Sequence, residues 1–96
     1  MKESEADFAR WFGDWLNLRG HLFYHTFDSQ HSAAGFPDYV IVTKGVDARL
    51  VFAELKAENG KLTPAQLRWY TVLAHAGQDV YVWRPGDRDE IMRILA

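Results

Sequence analysis

The chain contains no cysteine. This excludes disulfides, thiolate zinc sites, CxxC redox chemistry and cysteine nucleophiles, and it fits a reducing compartment. Linkers, internal repeats and biased stretches are also missing, and only 3 prolines and 7 glycines punctuate 96 residues, so residues 1–96 read as one domain. No apolar run approaches the ~20 residues of a membrane span. Met1–Asp7 is too polar for a signal peptide, so a soluble, non-secreted protein with no membrane partner is expected. A dominant charge is lacking as well. With 11 basic and 13 acidic residues the net is -2, which gives no global pull toward polyanions. Any nucleic-acid function therefore needs local charge placement or a bound cation.

What is present is a globular composition, 48% hydrophobic and 15% aromatic. A chain this short buries only somewhat more than ~60% of its unfolded surface, so its core is thin and a second copy would help it. A first helix is capped by Ser4, with Asp7 in a capping-box-like position and Phe8, Trp11, Phe12, Trp15 and Leu16 at helical spacing. Gly20 ends it. His21–Phe27 reads as a strand, Asp28–Phe36 as a polar loop, and Tyr39–Thr43 and Arg49–Lys56 as strands around a turn near Gly45–Asp47. Thr63-Pro64-Ala65-Gln66 opens a second helix that Gly77 closes. Asp79–Arg84 is a further strand, and Asp87 with Glu90 caps a short last helix carrying Ile91, Ile94 and Leu95. The order α-β-β-β-α-β-α implies an α/β fold: a hairpin, a right-handed βαβ crossover, and a mixed four-stranded sheet flanked by helices.

The sharpest signal is charge where burial expects apolar residues. On the third strand Leu50, Phe52, Glu54 and Lys56 share one face, so an apolar face ends in an acid and a base. If the hairpin turn is symmetric about Val46, Val42 faces Leu50, Val40 faces Phe52 and Asp38 faces Glu54. Opposed residues lie about 5 Å apart at Cβ. Two carboxylates so close repel unless a cation sits between them. Carboxylates, a main-chain carbonyl and water suit Mg²⁺ or Mn²⁺. A slip of one residue would break the pairing. Glu5 falls inside the apolar stripe of the first helix, and Gln66 lies on the stripe of Tyr70 and Leu73, so both are expected to point toward the sheet. Each feature has an ordinary alternative: a solvated Glu-x-Lys pair, a helix-dipole Glu, a capping-box Gln, turn chemistry at Pro37-Asp38. Their convergence on one sheet edge favours a site.

Gly35-Phe36-Pro37-Asp38, then Glu54-Leu55-Lys56, then Thr63-Pro64-Ala65-Gln66 with Tyr70, resembles the PD-(D/E)XK nuclease superfamily, with its restriction-endonuclease-like core. Within it the chain is similar to stand-alone VRR-NUC (virus-type replication-repair nuclease) domains, from Glu5 to the Tyr81–Pro85 segment. The resemblance implies an Mg²⁺- or Mn²⁺-dependent deoxyribonuclease. Asp38, Glu54 and the Leu55 carbonyl would be metal ligands, with Glu5 an outer-shell or second-metal ligand. Lys56 would orient the attacking water, and Gln66 would hold Lys56 or that water. Ser32, Gly35 and His31 in the loop before Asp38, with His25, are candidate DNA contacts. So are Lys44, Lys61 and Arg68, for which solvated charge is the alternative. His21 and His25 carry zinc spacing only for a helix, and this segment reads as a strand.

The family further implies a homodimer acting on branched DNA such as Holliday junctions, encoded by a phage or prophage and working in the bacterial cytoplasm. No small-molecule cofactor is implied. Trp69 and Trp83, poorly explained by burial within one chain, are expected at the dimer contact. The alternative is a non-catalytic module of the same fold that binds DNA structure or another protein.

Overall fold

A computed structural model describes residues 3–26, 31 and 33–96. Helix α1 spans Glu5–Arg19. Ser4 Oγ accepts the Asp7 N–H at 3.0 Å, which satisfies one of the unpaired donors of the first turn. Gly20 ends the helix at φ 78°, a left-handed conformation that costs glycine nothing. Strands β1 (Leu22–His25), β2 (Tyr39–Val42), β3 (Leu50–Leu55) and β4 (Asp79–Trp83) form one sheet in that order. β1 and β3 each pair with β2 antiparallel. Helix α2 (Pro64–His75) carries the chain from β3 to the parallel β4. A single 3-10 turn at Pro85–Asp87 leads into α3 (Arg88–Ile94).

Element order and sheet type are those expected from the sequence, and the hairpin register puts Val42 opposite Leu50 and Val40 opposite Phe52. The strands are shorter than the sequence suggests, and Phe27 lies outside the described residues. His21 leaves β1 because its ring is used elsewhere. Its Nδ1 accepts the Lys44 N–H at 2.9 Å, which requires a lone pair there, so Nε2 donates to the Leu95 carbonyl, also at 2.9 Å. It is a buried core histidine that ties the chain's last helix to the hairpin, and both ring nitrogens are taken.

Alternation along the strands sorts the helices into layers. Tyr39, Ile41, Val51, Ala53, Leu55 and Trp83 bury against Phe8, Phe12 and Leu16 of α1 and Ile91 and Leu95 behind α3. Each fully buried side chain of this kind contributes roughly 1.5–3 kcal/mol. Arg88 draws the two helices together: it meets Glu3 at 2.6 Å while its guanidinium lies 4.7 Å above the Trp11 ring. Among the described residues only α2 lies on the other face, and none of its residues is fully buried. Leu22, Tyr24, Val42 and Leu50, which register places on that second face, remain exposed.

Two expectations change. Trp83 is no surface residue: it is 1% exposed, stacks on Tyr81 at 4.6 Å, and donates its indole N–H to Glu90 at 2.8 Å. Glu90 is thereby diverted from capping α3, and Asp87 instead accepts the Arg84 N–H at 2.8 Å. Among the described residues no helix is long and apolar enough to cross a membrane.

Replacing His21 by Leu removes the acceptor of the Lys44 N–H and leaves the Leu95 carbonyl with the Trp15 indole N–H, at 3.1 Å, as its remaining side-chain donor. Urea unfolding should report a loss of about 1–3 kcal/mol; an unchanged midpoint would mean the histidine bridge contributes nothing.

Candidate active site

Chain direction decides where the polar residues gather. Gly20, ending α1, lies beside Lys44 at the β2–β3 turn; a Cβ there would sit 3.5 Å from Lys44 Nζ. α1 therefore begins at the opposite end of the sheet, where β2 starts, β3 finishes and α2 sets out. That is the carboxyl end of parallel strands β3 and β4, where open α/β sheets form their clefts. Asp38 immediately precedes β2 and Glu54 is the penultimate residue of β3. Continuing the observed register sets them opposite one another, on the face that carries α2.

Pro37 makes this end chemically open. The same register sets Pro37 opposite Leu55, and proline has no N–H to give to the ladder. The Leu55 N–H instead donates to Asp38 Oδ2 at 3.1 Å, fixing that carboxylate over the strand end. The N–H and C=O of one strand residue point to the same side, so the Leu55 carbonyl also faces a neighbour without a donor.

Glu54 is 6% exposed. Its Oε2 accepts from Gln66 Nε2 at 3.2 Å, while its Oε1 is buried without a hydrogen-bond partner among the described residues. The orientation of Gln66 is set by the start of α2. Gln66 Oε1 accepts the Thr63 N–H at 2.9 Å and the Gln66 N–H donates to Thr63 Oγ1 at 3.2 Å, a closed capping box. With its oxygen committed there, the amide has only its NH₂ group to present to the sheet. Gln66 is thus a cap and a site residue together. The contact it makes is with Glu54, where the expectation was Lys56 or the attacking water.

Burial, then the charge of Asp38, then the hydrogen bond that a protonated Glu54 can donate to Asp38, push Glu54 up to about 8; Lys56 opposes this and Glu5 adds to it. At neutral pH the cation-free Glu54 therefore keeps its proton. An orphaned buried carboxylate oxygen, a fixed carboxylate opposite and an unpaired carbonyl direction form an all-oxygen donor set that fits a hard divalent cation.

The remaining candidates divide by position. Lys56 is half-buried and follows β3, its N–H donating to the Trp83 carbonyl at 3.0 Å. Glu5, the first residue of α1, is exposed, and its charge reaches the pair. Among the described residues, accordingly, no three acidic or histidine side chains cluster as a metal cage. Gly35 is a packing position. At φ 83° its Cα abuts α2 so closely that a Cβ would fall 2.4 Å from the Ala65 carbonyl carbon. His25 stacks on Tyr39 at 4.3 Å. His31, Lys61 and Arg68 are exposed, Lys61 and Arg68 flanking the start of α2. Lys44 stands at the far end of the sheet, roughly 20 Å of strand from Asp38. Ser32 lies outside the described residues. The sequence reading missed the roles of Pro37 and Gly35, although the register arithmetic already put Pro37 opposite Leu55.

The model of the VRR-NUC domain matches residues 9–85. Two solved structures share the fold. One, a VRR-NUC domain, has a TM-score of 0.74 at 20% identity, covering 95% of this chain and 97% of its own. The other, a VRR-NUC domain protein, has 0.69 at 21% identity, covering 98% and 86%. No curated protein matches the chain.

The acid pair yields a pH prediction with a definite sign. The folded state holds a proton on Glu54 up to about pH 8, whereas an unfolded glutamate releases it near 4.3. The cation-free protein therefore loses stability between those limits as pH rises. In EDTA, Glu54→Gln should melt several degrees above the wild type at pH 8.5 and beside it at pH 4. Equal melting at pH 8.5 would mean the burial and repulsion at Glu54 cost nothing.

Proposed function

Because the chain belongs to the VRR-NUC family, with its nuclease-type fold, we propose that it is a metal-dependent deoxyribonuclease hydrolysing phosphodiester bonds in branched DNA, four-way junctions foremost. The observation that carries this is the buried Glu54 facing Asp38 with an unpaired oxygen. A structural role has no use for such a pair, since two amides would fill the same space without the repulsion.

Asp38, Glu54 and the Leu55 carbonyl would hold Mg²⁺ or Mn²⁺. A divalent cation bound there supplies positive charge that activates water and offsets charge building on the phosphate. The chain's own residues do the rest. Asp38 keeps its orientation through the Leu55 N–H, and Gln66 keeps Glu54 from turning away. Lys56, on the adjoining residue, brings an ammonium that steadies the attacking water and the phosphoryl oxygens. Glu5 supplies negative charge at the rim, as a partner to water around the ion and not a direct ligand. Lys61 and Arg68, exposed near the start of α2, would meet the DNA backbone beside the site, together with His31. Lys44 is too distant to share that contact. Action on DNA in the cytoplasm of a bacterium, from a phage or prophage gene, belongs to the same reading.

A homodimer fits this reading, on grounds other than the tryptophans. The uncovered sheet face bears Leu22 at 74% and Tyr24 at 61% exposure, with Val42 and Leu50 beside them. An uncharged apolar patch suits a second copy better than a phosphate backbone, and a two-fold axis would present two sites to two strands.

Two experiments test the reading. Purified protein with labelled four-way junction, flap and linear duplex should cut the junction in Mg²⁺ or Mn²⁺ and not in EDTA. Lys56→Ala and Asp38→Asn should each lower the rate at least 100-fold. Binding without cutting in every metal would favour the non-catalytic module, and a wild-type rate for Lys56→Ala would remove the mechanism. In light scattering, the wild type should show a dimer mass and Tyr24→Asp a monomer mass. A monomeric wild type at tens of micromolar would end the dimer proposal.

A further inference from the structure

The loop ahead of Asp38 is held by α2, at several points. The Trp69 indole N–H donates to the Ala34 carbonyl at 3.0 Å. Gly35 lies against the backbone of Ala65 and Gln66 with no room for a methyl group. Phe36 sits between two rings, edge-on to Trp69 at 5.0 Å and to Phe52 at 6.2 Å. Pro37 follows, buried and with φ locked. Four consecutive residues are thus immobilised, and the next is Asp38. On the helix side the tether is equally short. Trp69 lies three positions after Gln66, on the same face of α2, and Gln66 holds Glu54.

From this we infer that Trp69 is a positioning residue of the active site: its grip on Ala34 and Phe36 sets Asp38 against Glu54. It touches neither carboxylate. It acts because the pieces between it and them are stiff: a glycine–phenylalanine–proline run on one side, one helical turn on the other. Asp38 and Glu54 come from separate strand ends and repel, so their spacing needs support from outside the sheet. The loop clamp supplies it. The inference rests on the nuclease reading for its catalytic meaning, but the clamp itself is a property of the cation-free chain.

The test is Trp69→Phe, which keeps an aromatic ring against Phe36 but removes the N–H donor to Ala34 together with the second ring of the indole. Amide exchange followed by NMR, without added cation, reads the clamp. The Leu55 N–H, bonded to Asp38, and the Thr63 N–H, bonded to Gln66, should exchange about fivefold faster, as expected for one lost hydrogen bond. The Val51 amide, deep in β3, should keep its wild-type rate and so report an intact fold. Thermal melts over a MnCl₂ titration read the site: half-saturation should need about fivefold more Mn²⁺ than in wild type. Unchanged exchange at Leu55 and Thr63 overturns the clamp. Equal acceleration at Val51 does so too, since it reduces Trp69 to general stability. If the clamp reading holds but wild-type protein shows neither a Mn²⁺ shift nor cleavage, the nuclease proposal fails and the clamp stands as a structural device.

Discussion

The placement of Glu54 governs the rest of this molecule. A carboxylate that is 6% exposed, set against a second carboxylate and with one oxygen unpaired, is held where an isolated anion is unstable. Around it the chain spends its most directional bonds: the Leu55 N–H on Asp38, the Gln66 amide on Glu54, the capping box on Gln66. All of them hold acids together that would otherwise separate. The bound cation proposed above would complete such an arrangement, and it is how a protein of net charge -2 could act on DNA.

The two sides of the sheet divide the work. The α1/α3 side carries the stability, with aromatic and aliphatic side chains closed around Trp83 and with His21 and Arg88 stitching distant parts of the chain. The α2 side carries the candidate site and is thinly covered, since no residue of α2 is fully buried. A 96-residue chain does not hold enough apolar surface to close both faces. The result is a rigid back that positions strand ends, and a front that stays accessible to substrate and to a second copy.

Much of this was legible beforehand. Helical spacing of Phe8, Phe12 and Leu16, the Thr63–Gln66 cap and the glycine stops located the helices, because caps and periodicity are local properties. The hairpin register followed from one turn and was correct, since a shift by one residue would have turned Ile41 and Val51 out of the core. Errors arose where a residue had two possible partners. Glu90 looked like a cap and took the Trp83 indole instead. Glu5 shares the stripe of Phe8 and Phe12 but is exposed, because a helical wheel gives a direction and not whether the neighbouring layer reaches the helix's first residue.

The sequence by itself determined the element order, the register and the opposition of Asp38 to Glu54, for all three follow from periodicities of two and 3.6 along short stretches of chain. Only the tertiary structure decided which face each helix covers, that Gln66 turns to Glu54, that Gly35 lies on α2, and that Trp69 reaches Ala34. These contacts join segments separated by loops, and their geometry depends on how whole layers pack, information that no local pattern carries.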